Sequence, residues 1–459
     1  MVAPDLRAYA KFLPEYAELR WQENRSINIS FLNGNITGNA RSSSCGISAR
    51  MYSNGSWGFA SSPEPNAANI QAVIRLAQDN ARFLDSREKK GKQPLPATSA
   101  DSVRDFGTKK PKYTQKELLD FAKELDAHIA ANYKDLTSRA VILNGLDMEK
   151  VLITSTGSYS HSLIPRSYVY VQMATDAAGS PVELGDLAGG LGQFEDTLTS
   201  PAKFHQMIAQ LYEHLMHKRE GVYADAGTKT CILGAKLGGI LAHEAIGHTT
   251  EADLVLSGSV AKHLLNKEVA GPLVTLVDFA HTALGQICPV PVYVDDEGTP
   301  AQDVTIIDRG ILKAYMHNKE SALLFNTPPT GNARAFAFSD EPLIRMRNTA
   351  ILPGNSKLED MIASVDDGYY LIQPSNGQAD STSEFMFGVV LGYEIKKGKL
   401  GRAIRDTTIS GVAYDVLKTV TMVSDDMHWS NGGMCGKKQQ IPVGLGGPAI
   451  KCRINLGGR

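Results

Sequence analysis

Long apolar runs are missing from this chain of 459 residues; the longest fall far short of the ~20 residues needed to span a bilayer. A membrane-spanning helix is therefore not expected. Charge of one sign is missing as well: 47 Lys and Arg stand against 49 Asp and Glu, for a net charge of -2. No basic excess points to nucleic acid, and no acidic tail is present. Cysteine is sparse, five in the whole chain, which does not make a disulfide framework. The opening MVAPDLRAYAKFLPEYAELR lacks the continuous apolar core of a signal peptide. These absences lead us to expect a cytoplasmic protein, where thiols stay reduced. No short repeat is visible, and GLGGP is not followed by the Lys-Ser/Thr of a phosphate loop.

What is present is a dense cluster of metal-type ligands. His243-Glu244-Ala245-Ile246-Gly247-His248 lies in an apolar run, ILAHEAIGHTTEADLVL. In the zinc-hydrolase pattern H-E-x-x-H the histidines are four apart and share a helix face. Here they are five apart. At roughly 100° per residue, a regular helix would set them roughly 140° apart, too far round to share one metal. The spacing predicts a kink, a helix end inside the motif, or a π-type bulge. Gly247 is the residue expected to tolerate that departure. The competing reading is a buried helix whose histidines are satisfied by hydrogen bonds.

Catalytic zinc commonly takes three protein ligands. Cys231 and Cys452 lie in apolar or alternating stretches and read as structural. Cys288 stands between Ile287 and Pro289 at a strand edge or turn, and Cys45 follows three serines ahead of a strand. Cys435 lies in SNGGMCGKKQ, flanked by Gly432, Gly433 and Gly436, a loop whose backbone could bring a thiolate to a metal. Composition alone prefers Cys435 only weakly.

Several motifs together resemble one family. HEAIGHTTEAD, VDDEGTP, PTGNARAF, MRNT, LPG and GGMCGKKQQIPVGLGGP, with SARMYSNGSWGFAS near the start, are similar to the TldD/PmbA family of metallopeptidases, over nearly the whole chain. That family pairs TldD-type chains, which carry HExxxH and a late cysteine, with PmbA (TldE)-type chains, which lack them. This chain has His243, Glu244, His248 and Cys435 at the matching places and resembles the TldD type. The resemblance implies Zn2+ held by His243, His248 and Cys435, with Glu244 as general base. It also implies a hetero-dimer with a PmbA/TldE-type subunit, a homodimer being the alternative. The expected function is hydrolysis of short or unfolded peptides; the alternative is a zinc-stabilised binding or regulatory subunit without turnover.

Other candidates surround this set. Glu251 and Asp253 follow the ligands and could orient the histidines, or form a solvated turn. Tyr315, His317 and Arg334 are candidate oxyanion stabilisers on composition alone. Asp295-Asp296 reads as a strand-end turn rather than a cation site. His205, His214 and His217 on one helix read as surface histidines.

The pattern predicts an α+β fold of two lobes: an N-terminal α/β lobe with antiparallel sheets and helices, and a β-rich C-terminal lobe carrying the metal-site helix. Residues 1–85 read as an N-terminal domain, 86–113 as a polar linker, 114–223 as a middle α+β segment and 224–459 as the metal-bearing domain. LRWQE and SINISFL are expected to pair as one hairpin, and GISARMY and SWGFAS as a second around Asn54-Gly55. One helix should bury Ile70, Val73, Ile74, Ala77, Ala81 and Leu84. Another should start at the Thr114–Glu117 capping box and bury Leu118, Phe121, Ala122, Leu125 and Ile129. A helix opening at Ser200-Pro201 should bury Phe204, Ile208, Leu211 and Leu215, and a second capping box is read at Ser356–Glu359.

Overall fold

The computed structural model describes residues 3–14, 16–91 and 94–458. The fold is α+β in two lobes, with mostly antiparallel sheets, as the pattern predicts. The N-terminal lobe is built on one seven-stranded sheet: β1 (Tyr16–Leu32), β2 (Asn35–Ser53), β3 (Ser56–Ser62), β4 (Asp101–Asp105), β5 (Leu136–Thr154), β6 (Tyr159–Ala177) and β7 (Ser180–Leu191). Its order is β3-β2-β1-β5-β6-β4, with β7 also on β6. Segments before and after residues 86–113 thus share a sheet, because β1 pairs with β5 from Glu18↔Thr154 to Leu32↔Ala140.

Three expectations are corrected here. LRWQE and SINISFL are not a hairpin but one continuous strand, β1; its polar middle stays extended because β2 and β5 flank it on both sides. The 86–113 stretch is not all linker: β4 adds to the sheet in parallel with β6, from Asp101↔Tyr159 to Asp105↔Leu163, while Lys92 and Gln93 lie outside the described residues. The helix after Ser356 runs from Leu358 to Ala363 with Lys357 as its cap residue and no side-chain cap bond, so no capping box forms there. The hairpin turn at Asn54-Gly55 does form, with positive φ at both residues (49° and 100°) between the Ser53↔Ser56 pair.

Helix α1 (Ala67–Glu88) lies on β2 and β3 and buries Ile70, Val73, Ile74, Ala77 and Ala81 against Leu19, Trp21, Ile47 and Met51; Leu84, expected on that face, is exposed. The approach is close enough that a Cβ on Gly58 would meet the Ala77 carbonyl at 2.1 Å. Helix α2 (Gln115–Asn132) starts on the Thr114–Glu117 capping box and buries the predicted residues. They share a core with Val141, Val169 and the helix His205–Arg219, which buries Ile208, Leu211 and Leu215.

The C-terminal lobe has two larger sheets. One, seven-stranded, holds Gly227–Leu233 between Asp367–Ala379 and Ile450–Leu456. The other, six-stranded, runs from Ile311–Leu312 through Val304–Asp308, Leu276–Phe279, Asn348–Ile351 and Gln439–Gly447 to its edge strand, His428–Lys437. The glycines of GLGGP lie at the end of the Gln439–Gly447 strand. The main core of this lobe contains Leu241, Ala242, Ala245 and Ile246, so the metal motif runs through its centre.

Alternation along β1 joins the lobes. Leu19 and Trp21 face α1, while Arg20, Gln22 and Asn24 bond the carbonyls of Ala337, Asp340 and Phe336 on the other side. Lys150 on β5 reaches Asp296 at 2.6 Å, and Arg50 on β2 bridges Glu18 (2.9 Å) and Glu297. No helix among the described residues is long and apolar enough to cross a membrane.

Candidate metal centre

The five-residue histidine spacing is resolved by the helix itself. Gly227–Leu233 leads through Gly234 into a short α-helix, Ala235–Ile240, which widens into a π-helical turn over Leu241–Gly247. The His248 backbone N–H bonds to the His243 carbonyl, an i→i−5 bond. That register stacks residues five apart on one face. Gly247 has ordinary helical φ and ψ (−56°, −53°), so its conformational freedom is not used. Space is what it supplies: a Cβ there would meet Met346 Sδ at 1.9 Å.

Opposite the turn, Cys435 projects from the edge strand His428–Lys437, which the sequence presented as a glycine-rich loop. Arg345 fixes this hairpin. Its fully buried guanidinium donates to the carbonyls of Cys435 (2.7 Å) and Gln439 (2.9 Å). The ligand atoms of His243, His248 and Cys435 all lie within 4.8 Å of one another. Cys435 Sγ is 3.3 Å from His248 Nε2. Tetrahedral zinc with bonds of 2.0–2.3 Å would set such a pair roughly 3.5 Å apart. His243 is 1% exposed, yet neither of its ring nitrogens meets a hydrogen-bond partner among the described residues. Buried polar atoms are rarely left so. A cation between the three would satisfy one of these nitrogens, and an imidazole–imidazole–thiolate set suits zinc. Among the described residues this is the group of His, Cys, Asp and Glu placed to hold a metal.

The cysteines differ in charge state. Burial pushes Cys288 and Cys452 up to about 12 and Cys231 well above its usual value. Burial opposes the Cys435 thiolate too, but His243 and His248 outweigh it and hold the thiol down at about 4. Cys435 is thus poised as a thiolate.

Glu244 is partly exposed, with Oε2 3.6 Å from His248 Nε2. Glu251, fully buried, accepts from His248 Nδ1 at 3.0 Å, which directs Nε2 toward Cys435. Asp253 does not touch His248; it binds Lys437 Nζ at 2.7 Å, and Lys437 also reaches Glu251 at 3.0 Å. Lys437 was not picked out from the sequence, although two residues past Cys435 in a strand is the same side. Arg345 carried no sequence signal, because its contacts lie about ninety residues away.

Other candidates are engaged by the fold. Tyr315 donates to the Ala261 carbonyl at 2.7 Å, His317 Nδ1 lies 3.1 Å from Ser321 Oγ, and Arg334 donates to the carbonyls of Met346 and Pro442 (2.8 Å for the latter). Asp295 accepts from the backbone N–H groups of Glu297, Thr299 and Ala333, which makes it a turn organiser. His214 and His217 both place Nδ1 on the Tyr393 hydroxyl, at 2.8 and 3.0 Å.

Fold and site together define a two-lobed α+β chain with a candidate metal centre. Residues 17–81 match the family model of PmbA/TldA metallopeptidase domain 1, and residues 226–458 match the PmbA/TldA metallopeptidase C-terminal domain. The chain is 32% identical over 459 residues to a metalloprotease TldD homolog of Buchnera aphidicola subsp. Schizaphis graminum, covering 97% of this chain and 93% of that one. It is 36% identical over 256 residues to a zinc metalloprotease TldD homolog of Saccharolobus solfataricus, covering 55% and 57%. Its fold is similar to the crystal structure of TldE from Thermococcus kodakarensis, with a TM-score of 0.77, 17% identity and 99% of each chain covered. The chain belongs to the TldD/PmbA family.

Proposed function

We propose that this chain is the metal-bearing, TldD-type subunit of a zinc-dependent peptidase that hydrolyses short or unfolded peptides. The observation that carries the reading is the convergence of a buried and a half-buried imidazole and a thiolate with a partly exposed carboxylate, Glu244, beside them. His243, His248 and Cys435 would hold the zinc. When bound, zinc polarises a scissile carbonyl and makes a nearby water more acidic.

The remaining steps fall to the chain's own residues. Glu244 takes the proton of the attacking water and passes it to the leaving amine. Glu251 keeps His248 in one tautomer, and Lys437 keeps Glu251 charged and in place. The edge strand His428–Lys437 offers unpaired backbone groups to an extended peptide, so affinity comes from the main chain with little sequence selectivity. The partner in this reading is a PmbA/TldE-type chain, and a reducing compartment such as the cytoplasm suits the thiolate.

Glu244→Gln tests the reading. It should keep its metal and lose turnover by at least roughly 10²–10⁴-fold, the usual share of general base catalysis. Near-normal turnover with full metal would place the base elsewhere. Absence of hydrolysis by the parent chain, alone and with a TldE-type partner, would favour the binding subunit instead. The substrate class is tested with one protein offered folded and stably unfolded; equal cleavage of both would overturn the preference for open chains.

A further inference from the structure

A cavity of about 70 Å3 lies where the N-terminal sheet faces the C-terminal lobe. Arg104, Lys150, Arg166, Arg334, Asp295 and Asp296 are its charged lining. Most of these charges are answered. Asp296 is held by Lys150 and by the Ala335 N–H at 2.7 Å. Asp295 is occupied by the backbone N–H groups of Glu297, Thr299 and Ala333, and burial and the neighbouring Glu297 push its carboxyl up. Arg104 lies over the Tyr293 ring at 4.4 Å, and Arg334 is spent on two backbone carbonyls.

Arg166 is different. It is 3% exposed, and its register opposite Leu146 puts it on the sheet face of Met148 and Lys150. Its hydrogen-bond partners are neutral, Met148 Sδ at 3.8 Å and the Tyr168 phenol, and the charge that interacts with it is of like sign, Arg334. Its Nε has no hydrogen-bond partner, and no carboxylate pairs with it among the described residues. Arginine does not shed its proton, and a buried charge without a counter-ion is costly. The cavity has room for a group of a few heavy atoms, since one water needs only about 10–15 Å3 of such space. A planar oxyanion matches the guanidinium fork. The cavity is also tied to the metal hairpin. Arg334 grips Met346, which packs on Gly247, and Pro442, which faces Met434 beside Cys435.

We infer that Arg166 anchors a small carboxylate in this cavity, and that the carboxylate is the free C-terminus of the bound peptide. The second half rests on the peptidase reading. It implies that the cut is measured from the peptide's C-terminal end.

The test uses two peptides of one sequence, a free acid and its C-terminal amide, with zinc-loaded Glu244→Gln so that the peptide survives. The acid should bind roughly ten- to a hundredfold more tightly, the range for a hydrogen bond to a charged group. Adding Arg166→Gln should bring the acid-to-amide ratio to one, and Arg166→Lys should restore part of it. The ratio is taken within each protein, so loss of folded material cancels. Equal binding of the two peptides by the Glu244→Gln chain, or no binding of either, overturns the anchor. Acetate that binds in an Arg166-dependent way, while the peptides bind equally, would assign the cavity to a free anion and overturn the terminus reading. A clear acid preference without cleavage by the parent chain would sink the peptidase reading and leave the anchor standing.

Discussion

His248 Nδ1 and Glu251 Oε2 lie 3.0 Å apart, and Glu251 has no exposed surface. Burial works against the Glu251 charge, but His248 and Lys437 outweigh it and hold the carboxyl down at about 2. The pair fixes the imidazole with Nε2 free for a metal. Glu251→Gln keeps the shape and removes the charge. We expect metal affinity to fall roughly 10–100-fold, the usual cost of losing such an orienting group. Competition with a chelating dye measures it; unchanged affinity would remove the orienting role.

The third ligand is tested by cysteine exchange. Cys435→Ser should strip zinc from the purified chain, whereas Cys288→Ser should keep one zinc per chain. Elemental analysis of both variants decides. If only the Cys288 change removes zinc, the assignment to Cys435 is wrong.

Gly247 is a packing requirement. Gly247→Ala sets a methyl 1.9 Å from Met346 Sδ in the present arrangement. Overpacking of this kind costs about 1–3 kcal/mol. Urea unfolding should show the loss, and Met346→Ala in the same chain should recover part of it. Additive losses in the double variant would mean that the two side chains do not compete for space.

Stability should also depend on His317. Burial holds its imidazole down at about 4, below the ordinary value near 6.5. Between those values the unfolded chain binds a proton that the folded chain refuses. Stability from this residue is therefore full above about pH 6.5 and lost as pH falls toward 4. The loss is about 3 kcal/mol at most, the gap between 6.5 and about 4 taken at about 1.4 kcal/mol per pH unit. His317→Gln should flatten the change in unfolding midpoint between pH 7.5 and pH 4.5. Parallel curves for parent and variant would exclude it.

Local chemistry was the legible part. The Thr114–Glu117 box, the Asn54-Gly55 turn and the buried faces of α1 and α2 follow from residues a few positions apart. The histidine spacing called for a kink, a helix end or a π-type turn, because no regular helix could aim both rings at one point, and the π-type turn is the one that forms. What stayed hidden depends on distant partners. β1 reads as two strands because the positions that break its apolar pattern, Gln22 and Asn24, are buried by Phe336, more than three hundred residues on. Arg345 and Lys437 hold the ligand hairpin and its acidic neighbour through contacts across some ninety to two hundred positions. The Ser356 box failed because the helix starts later, at Leu358.

The stitching between the lobes has a consequence for how this chain can be divided. The stretch 226–458 looks like a module by sequence. Cut free, it would keep Glu297 and Asp296 in its interior while losing Arg50, Arg20 and Lys150, the cations that answer them. It would also lose Gln22 and Asn24 from the Phe336 carbonyl, in the segment from which Arg334 and Arg345 reach the cysteine hairpin. The first sheet is thus a counter-ion for the second half. A fragment carrying every metal ligand would still be missing the charges that let its interior close.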